Sequence, residues 1–207
     1  MVKTTLPSRS ATAQKSHGEG RGSASGPNAQ GRRNGMIQPF GSIRKTPIAL
    51  PDGARLRSCR LLNHMLADTL VLYALYKKHH WLVMGPTFYQ LHLLFDKHAE
   101  EQQELADLLA ERVQALGGVA VGDPRHVAEL TTIERSPDGA EDVPDMIQRT
   151  LDAHEIVIRK VRDGIDATED NGDWGSNDLL MGDVLRTHEL QVWFLSSHLV
   201  DTPLVEG

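Results

Sequence analysis

Five potential metal ligands fall within one strongly helical stretch of the sequence, between residues 80 and 118. They are His80, His92, Asp96, Asp107 and Glu111. Imidazole and carboxylate together suit a divalent transition metal such as iron, manganese or zinc. His92 and Asp96 are four residues apart, as are Asp107 and Glu111, so each pair is predicted to share one helix face.

The spacing of these pairs constrains how they can bind a metal. The apolar residues of the same helix fall on a different face, so the ligand stripe is predicted to point away from the helix's own core. These apolar residues are Leu91, Phe95, Leu105, Leu109, Val113 and Leu116. Asp96 and Asp107 would lie about 16 Å apart along a helix. A ligand atom must lie about 2 Å from its ion, so the two pairs cannot hold one ion within a single chain.

A second copy of the helix resolves this separation. In an antiparallel dimer, Asp107 and Glu111 of one chain lie opposite His92 and Asp96 of the other. The sequence therefore predicts two equivalent metal sites per dimer, each built by both subunits. An intra-chain di-iron centre of the Glu-x-x-His type is disfavoured, because no Glu in this sequence has a His three residues later.

The fold class predicted from periodicity is all-α, with four long helices and one short helix. Apolar residues recur at helical spacing, and no strand-like alternation is seen. The long link between the second and fourth helices suits a crossover that joins parallel neighbours. The last helix is predicted to be capped by Ser176 or Asn177. The predicted ranges are about 54–83, 86–116, 124–130, 144–169 and 176–200.

The ligand pattern resembles the Dps family, the mini-ferritins named as DNA-binding proteins from starved cells. The residues that carry the resemblance are His80-Trp81, Gly85, His92, Asp96, the Asp107-x-x-Ala110-Glu111-Arg112 run and Leu116-Gly117-Gly118. The similarity extends from about Leu56 to Leu204. It implies a ferritin-like four-helix bundle, assembled through two-fold dimers into a hollow dodecamer. The implied activity is oxidation of Fe²⁺, preferably by hydrogen peroxide, with storage of ferric mineral and protection of DNA.

The resemblance also implies roles for individual residues. His80, His92 and Asp96 of one subunit and Asp107 and Glu111 of its mate would bind iron and form the ferroxidase centre. Zinc or manganese are alternative occupants of the same ligands. The family has a tryptophan beside the iron site, and Trp81 matches it. Trp81 would trap stray oxidising equivalents, the alternative being a packed aromatic residue.

The N-terminal region differs from the rest of the chain in charge. Residues 1–45 carry eight Lys or Arg against one acid, a net charge of +7, whereas the remainder is −13. This polar segment is predicted to be a disordered tail, followed by a bundle domain at 46–207. Its proposed roles are non-specific DNA binding, a solubilising linker or organelle targeting. The candidate DNA contacts are Lys3, Arg9, Lys15, Arg21, Arg32 and Arg33.

Other sequence features bear on location and transport. The lone Cys59, the absence of an apolar run of about 20 residues and the lack of a signal-peptide core predict a cytoplasmic protein, nucleoid-associated if it binds DNA. Asp173 and Asp178 are candidates for an acidic pore, the alternative being helix capping. Two other functions remain open: a nucleoid-compacting structural protein, and a zinc or manganese buffer without redox turnover.

Overall fold

The computed structural model describes residues 35–200. This part of the chain is helical and contains no strand. The elements are α1 (Asp52–Leu82), α2 (Phe88–Ala115), α3 (Pro124–Leu130), α4 (Val143–Asp170), α5 (Trp174–Leu179), a π-helical segment π1 (Leu180–Leu185) and α6 (Arg186–Ser196). The fourth rod of the bundle consists of α5, π1 and α6, which follow one another without a break in helical backbone geometry.

The predicted fold class is confirmed, and most helix ends agree within two residues. The second helix begins at Phe88 rather than Pro86, because Gly85 adopts a φ of 99° and the chain turns before the helix starts. The last rod begins earlier and ends earlier than predicted. Its first cap is Asp173 rather than Ser176 or Asn177, since the Asp173 side chain accepts a hydrogen bond from the Ser176 amide.

The core forms along the facing sides of the four rods. α1 packs against α2 and α4, and α4 packs against α5, π1 and α6. The six apolar residues predicted to face inward on α2, from Leu91 to Leu116, are all buried. The opposite side of α2 is therefore left for polar residues, as the periodicity predicted.

The crossover between α2 and α4 is fastened to α1 by a buried carboxylate. Asp68 is fully buried and accepts hydrogen bonds from the Thr131 hydroxyl and the Thr132 amide. Its second oxygen pairs with Lys160 of α4 at 2.5 Å. One side chain thus connects α1, α4 and the end of α3, which fixes the course of the long connection.

The segment before α1 lies against the bundle. The Arg44 amide donates to the Gly117 carbonyl at 2.8 Å, and Gln38 donates to the same oxygen at 2.9 Å. Arg55, which is only 2% exposed, donates to the carbonyls of Arg44 and Leu116. The boundary expected between residues 45 and 46 thus falls inside a segment that contacts the bundle, and the compact unit begins at Met36. These contacts were not predicted because every acceptor is a backbone carbonyl, which is the same group in every residue.

No helix in residues 35–200 combines the length and apolar character needed to span a membrane.

Candidate metal centre

Three of the five predicted ligands lie together where α1 ends and α2 begins. The rings of His80 and His92 stack with their centroids 3.8 Å apart. Asp96, one turn further along α2, has its Oδ1 3.9 Å from the His80 Nδ1. Both imidazoles are partly buried. The turn at Gly85 therefore brings together residues from two helices that are twelve or more positions apart in sequence.

A reciprocal pair of hydrogen bonds fixes the orientation of the two rings. The His80 Nδ1 donates to the His92 carbonyl at 2.8 Å, and the His92 Nδ1 donates to the His80 carbonyl at 2.9 Å. A carbonyl oxygen only accepts, so each Nδ1 must carry the proton. In the neutral rings the Nε2 atoms then hold the free lone pairs. This is the arrangement by which proteins orient metal-binding imidazoles.

Lys77 is a further residue of the centre, and its role was not predicted from the sequence. Its Nζ lies 2.5 Å from the Asp96 Oδ1. The hydrogen bond from Lys77, outweighing a small opposing effect of burial, lowers the pKa of Asp96 below its usual value. Asp96 is therefore an anion at neutral pH. Lys77 lies one helical turn before His80, and this spacing was the signal that could have revealed it.

The other two predicted ligands lie on the same side of α2 but further along it. Asp107 and Glu111 are both exposed. Asp107 borders an open groove of about 770 Å³ between α1, α2 and the crossover. The groove is lined by apolar residues and acids, including Leu66, Leu70, Glu100, Glu104 and Ala110.

Within residues 35–200 of one chain, no group of three or more His, Cys, Asp or Glu side chains is arranged to hold a metal ion. His80, His92 and Asp96 form one partial set, and Asp107 and Glu111 form a second set about 16 Å along the helix.

Large apolar side chains surround the ligand face although they are open to solvent in the single chain. Trp81 is 70% exposed, Tyr89 69% and Leu93 50%. Phe88 is also exposed, and its ring lies 5.0 Å from that of His92. Apolar surface concentrated beside polar ligands is typical of a surface that a partner covers. Trp81 is not packed within its own chain, so its predicted role beside the site stays a prediction.

The two predicted pore acids differ in their surroundings. Asp173 is 2% exposed, caps α5 and pairs with Arg112. These are the contacts of the capping alternative, and they leave Asp173 unable to line an open pore in this chain. Asp178 is exposed, and its pore role stays a prediction. The six candidate DNA contacts in the tail lie outside the described residues.

A buried polar network inside the bundle was missed by the sequence analysis. The Tyr76 hydroxyl lies 2.5 Å from the His154 Nε2, and the His154 Nδ1 lies 2.8 Å from the His188 Nδ1. Gln191 accepts from Gln102 and lies 3.2 Å from the Tyr76 hydroxyl. The inward helical spacing of these residues was visible in the sequence, but it did not show that they touch.

The two buried histidines of this network predict acid sensitivity. Burial lowers the pKa of His188 to about 3, and burial with the neighbouring imidazoles lowers that of His154 well below 6.5. The unfolded chain binds these protons near pH 6.5. Stability is therefore complete above pH 6.5 and falls as the pH drops towards 3. We expect a loss of about 1.4 kcal/mol per pH unit for each histidine.

Urea unfolding at pH 7.5, 6.5 and 5.5 checks this expectation. His188→Gln should lessen the dependence of unfolding free energy on pH, and the remaining slope belongs to the other buried histidines, His79, His98 and His154. An unchanged slope in His188→Gln would contradict the expectation.

Comparisons with known proteins identify the protein family that has this fold and this ligand pattern. The family model described as the ferritin-like domain matches residues 59–205. DpsC from Streptomyces coelicolor superposes with a TM-score of 0.81 at 60% identity, over 83% of this chain and 99% of that one. The nutrient stress-induced DNA-binding protein of Synechococcus is 34% identical over 75% of this chain and 88% of its own length.

A third relative is more distant. A Dps protein from Vibrio cholerae O1, described as a member of a broad superfamily of ferritin-like diiron-carboxylate proteins, has a TM-score of 0.71 at 25% identity. It matches 79% of this chain and 99% of its own. The fold is thus that of a ferritin-like protein. Within that class, the chain belongs to the Dps family.

Proposed function

We propose that this protein oxidises Fe²⁺, preferably with hydrogen peroxide, at centres shared between two subunits, and stores the ferric product in a hollow dodecamer. The observation that carries the proposal is the pair of imidazoles whose Nδ1 atoms are held by carbonyls, which leaves both Nε2 lone pairs free beside an ionised Asp96. The description of the Vibrio cholerae relative as a diiron-carboxylate protein supports iron as the metal.

The missing ligands of each centre come from the partner subunit in this proposal. Asp107 and Glu111 are exposed on the ligand face, and the groove beside Asp107 is wide enough to receive side chains of a second molecule. An antiparallel pairing of α2 brings these carboxylates to the partner's imidazoles. The exposed Trp81, Tyr89 and Leu93 would be covered in the same contact.

The chemistry follows from the ligand set. Two Fe²⁺ ions held close together give one electron each to one peroxide, so the O–O bond is cleaved to water without release of hydroxyl radical. Carboxylates stabilise the growing positive charge of the ferric ions, while imidazoles bind Fe²⁺ well. Lys77 keeps Asp96 ionised until a cation replaces the ammonium group. Zinc or manganese, bound by the same groups, would occupy the centre without this turnover.

The test is the rate of ferric absorbance after Fe²⁺ and peroxide are mixed with assembled protein. We expect Asp96→Ala and Glu111→Ala each to slow oxidation by more than about 100-fold, since loss of an outer partner of a metal ligand alone costs 10- to 100-fold. Asp166→Ala removes an exposed acid of α4 and is the control. Rates equal to the wild type in both ligand variants would reject the proposed centre.

The proposal extends to DNA through the N-terminal tail. The observation that favours it is the charge of +7 over residues 1–45 on an otherwise acidic chain, and the Synechococcus relative is named as DNA-binding. Twelve such tails on one dodecamer would add weak phosphate contacts together. DNA binding by the tail implies a cytoplasmic, nucleoid-associated location.

Asp178 would contribute to the acidic pores through which Fe²⁺ passes.

Duplex DNA binding by the full chain and by a version lacking residues 1–34 tests the tail. We expect the full chain to bind, with affinity that falls steeply with salt, and the truncated protein to lose binding. A chain in which Lys3, Arg9, Lys15, Arg21, Arg32 and Arg33 are replaced by Gln separates charge from length. Retention of DNA by the truncated protein at equal strength would exclude the tail.

A further inference from the structure

Tyr76 occupies an unusual position for a tyrosine in a protein that handles iron and peroxide. Its side chain is fully buried between the helices, and its hydroxyl lies 2.5 Å from the Nε2 of His154. Its ring also contacts Phe95 and His98, with centroids 6.2 Å and 5.3 Å away. A buried phenol joined to a neutral imidazole is arranged to lose an electron and a proton together.

We propose that Tyr76 is an internal electron donor to the metal centre, which gives up one electron while its proton passes to His154. This inference rests on the proposed iron oxidation. Tyr76 acts in those turnovers in which the centre holds only one Fe²⁺ ion when peroxide arrives. The second electron then comes from the protein interior instead of from a second metal ion.

The hydrogen-bond network provides the path for the proton. If the His154 Nε2 accepts from Tyr76, the His154 Nδ1 carries a proton and donates to the His188 Nδ1, 2.8 Å away. A proton received at the Nε2 of His154 can therefore be passed on to His188. The Gln191 Oε1 lies 3.2 Å from the Tyr76 hydroxyl, whose single proton is donated to His154 in this arrangement, and the Gln191 amide donates to a Glu101 carboxylate oxygen at 2.8 Å.

The position of Tyr76 gives a short route for the electron. It lies one helical turn before His80 on α1, a rise of about 6 Å. On the other helix, Phe95 contacts the Tyr76 ring and directly precedes Asp96. Both α1 and α2 therefore connect the Tyr76 phenol to the proposed metal ligands over a short distance. The bundle shields the phenol from solvent.

The reaction balances with the reagents that the proposed activity already uses. Fe²⁺, H₂O₂, the Tyr76 phenol, neutral His154 and two protons from solvent give Fe³⁺, two waters, the Tyr76 phenoxyl radical and protonated His154. Iron and tyrosine each lose one electron, and the O–O bond of peroxide receives both. The phenolic proton is held by the histidine pair, so both protons that complete the two waters come from solvent.

Tyr76 differs in this respect from the other oxidisable residues nearby. The chain has three tyrosines, and the other two are Tyr73 and Tyr89. Within residues 35–200, the hydrogen bonds join neither of them to a histidine, whereas Tyr76 has such a bond. Trp81 is largely open to solvent in the single chain. Burial and the His154 partner therefore single out Tyr76 as the residue built for reversible oxidation.

Freeze-quench electron paramagnetic resonance on the assembled protein tests the proposal. Protein loaded with less than one Fe²⁺ per centre is mixed with peroxide, and ferric absorbance is followed in the same samples. We expect a phenoxyl signal in the wild type that narrows when the tyrosines are ring-deuterated. The signal should persist in Tyr73→Phe/Tyr89→Phe, which keeps Tyr76 as the only tyrosine, and disappear in Tyr76→Phe.

The two measurements separate the possible failures. Absence of iron oxidation in the wild type would reject the proposed function. Normal iron oxidation without a phenoxyl signal in Tyr73→Phe/Tyr89→Phe would overturn the role of Tyr76 alone, and this holds even if Tyr76→Phe does not fold. With Fe²⁺ in excess, oxidation by Tyr76→Phe should equal that of the wild type, because the second electron then comes from iron.

Discussion

Co-assembly of Asp96→Ala and Glu111→Ala subunits in equal amounts is expected to restore about a quarter of wild-type iron oxidation, although each variant alone is inactive. In a mixed dimer, one of the two centres receives both substitutions. The other receives His80, His92 and Asp96 from the Glu111→Ala chain and intact Asp107 and Glu111 from the Asp96→Ala chain. That centre is complete.

The expected fraction follows from random pairing. About half of the dimers are mixed, and one centre of the two in each mixed dimer is intact, which gives about a quarter of all centres. The measurement is the ferric absorbance rate of co-expressed, co-purified protein. Asp96→Ala subunits mixed with a chain that carries both substitutions are the matched control, because none of their dimers, like or mixed, contains a complete centre. Absence of recovery in the Asp96→Ala and Glu111→Ala mixture would contradict a centre shared between subunits.

Arg112→Leu is expected to destabilise the fold by about 3 to 5 kcal/mol, because it leaves a buried carboxylate without its cation. Arg112 pairs with Asp173, which is 2% exposed, and its Nε also donates to the Ser176 hydroxyl at 2.9 Å. Burial opposes ionisation of Asp173, but hydrogen bonds from Ser58, Ser176 and Arg112 outweigh it and lower its pKa. The carboxylate is therefore charged at neutral pH in the wild type, and loss of Arg112 removes its cation.

Thermal unfolding of the assembled protein at fixed concentration measures this effect. For a chain of this size, the loss corresponds to a fall in midpoint of about 6 to 20 °C. Arg159→Leu is the matched control, because its partner Glu155 is 72% exposed and such surface pairs contribute about 0 to 1 kcal/mol. Equal midpoints for the two variants would show that the buried pair contributes no more than an exposed one.

The helical rods and the ligand face were predictable because both depend on local repetition. The apolar residues of α2 recur at helical spacing, and each of the six predicted to be inside is buried. The failure of one chain to gather all five ligands followed from helix rise alone, and no complete set forms within residues 35–200. The separate contributions of His80, His92 and Asp96 were implied by the family resemblance, and the turn at Gly85 brings them together.

Other features depended on contacts between distant parts of the chain. The contacts of Gln38 and Arg44 with the carbonyl of Gly117 were not predicted, because a backbone acceptor leaves no pattern in side-chain type. Asp173 was a candidate pore acid until its burial and its pairing with Arg112 were seen. The sequence shows that residue 173 is an aspartate, but not whether its side chain faces solvent or the guanidinium of Arg112. Sequence alone therefore left both the pore role and the capping role open.

The sequence by itself determined the periodic features of this protein: which residues form helices, which face of α2 is apolar, and that the two ligand pairs on α2 are too far apart to act on one ion. These follow from the repeat and rise of the helix, which are the same in every protein. Only the tertiary structure decided that the Nδ1 atoms of His80 and His92 are held by each other's carbonyls, and that Tyr76 meets His154 in the core. Such contacts depend on how separate helices pack, and packing is set by the whole set of side chains at once.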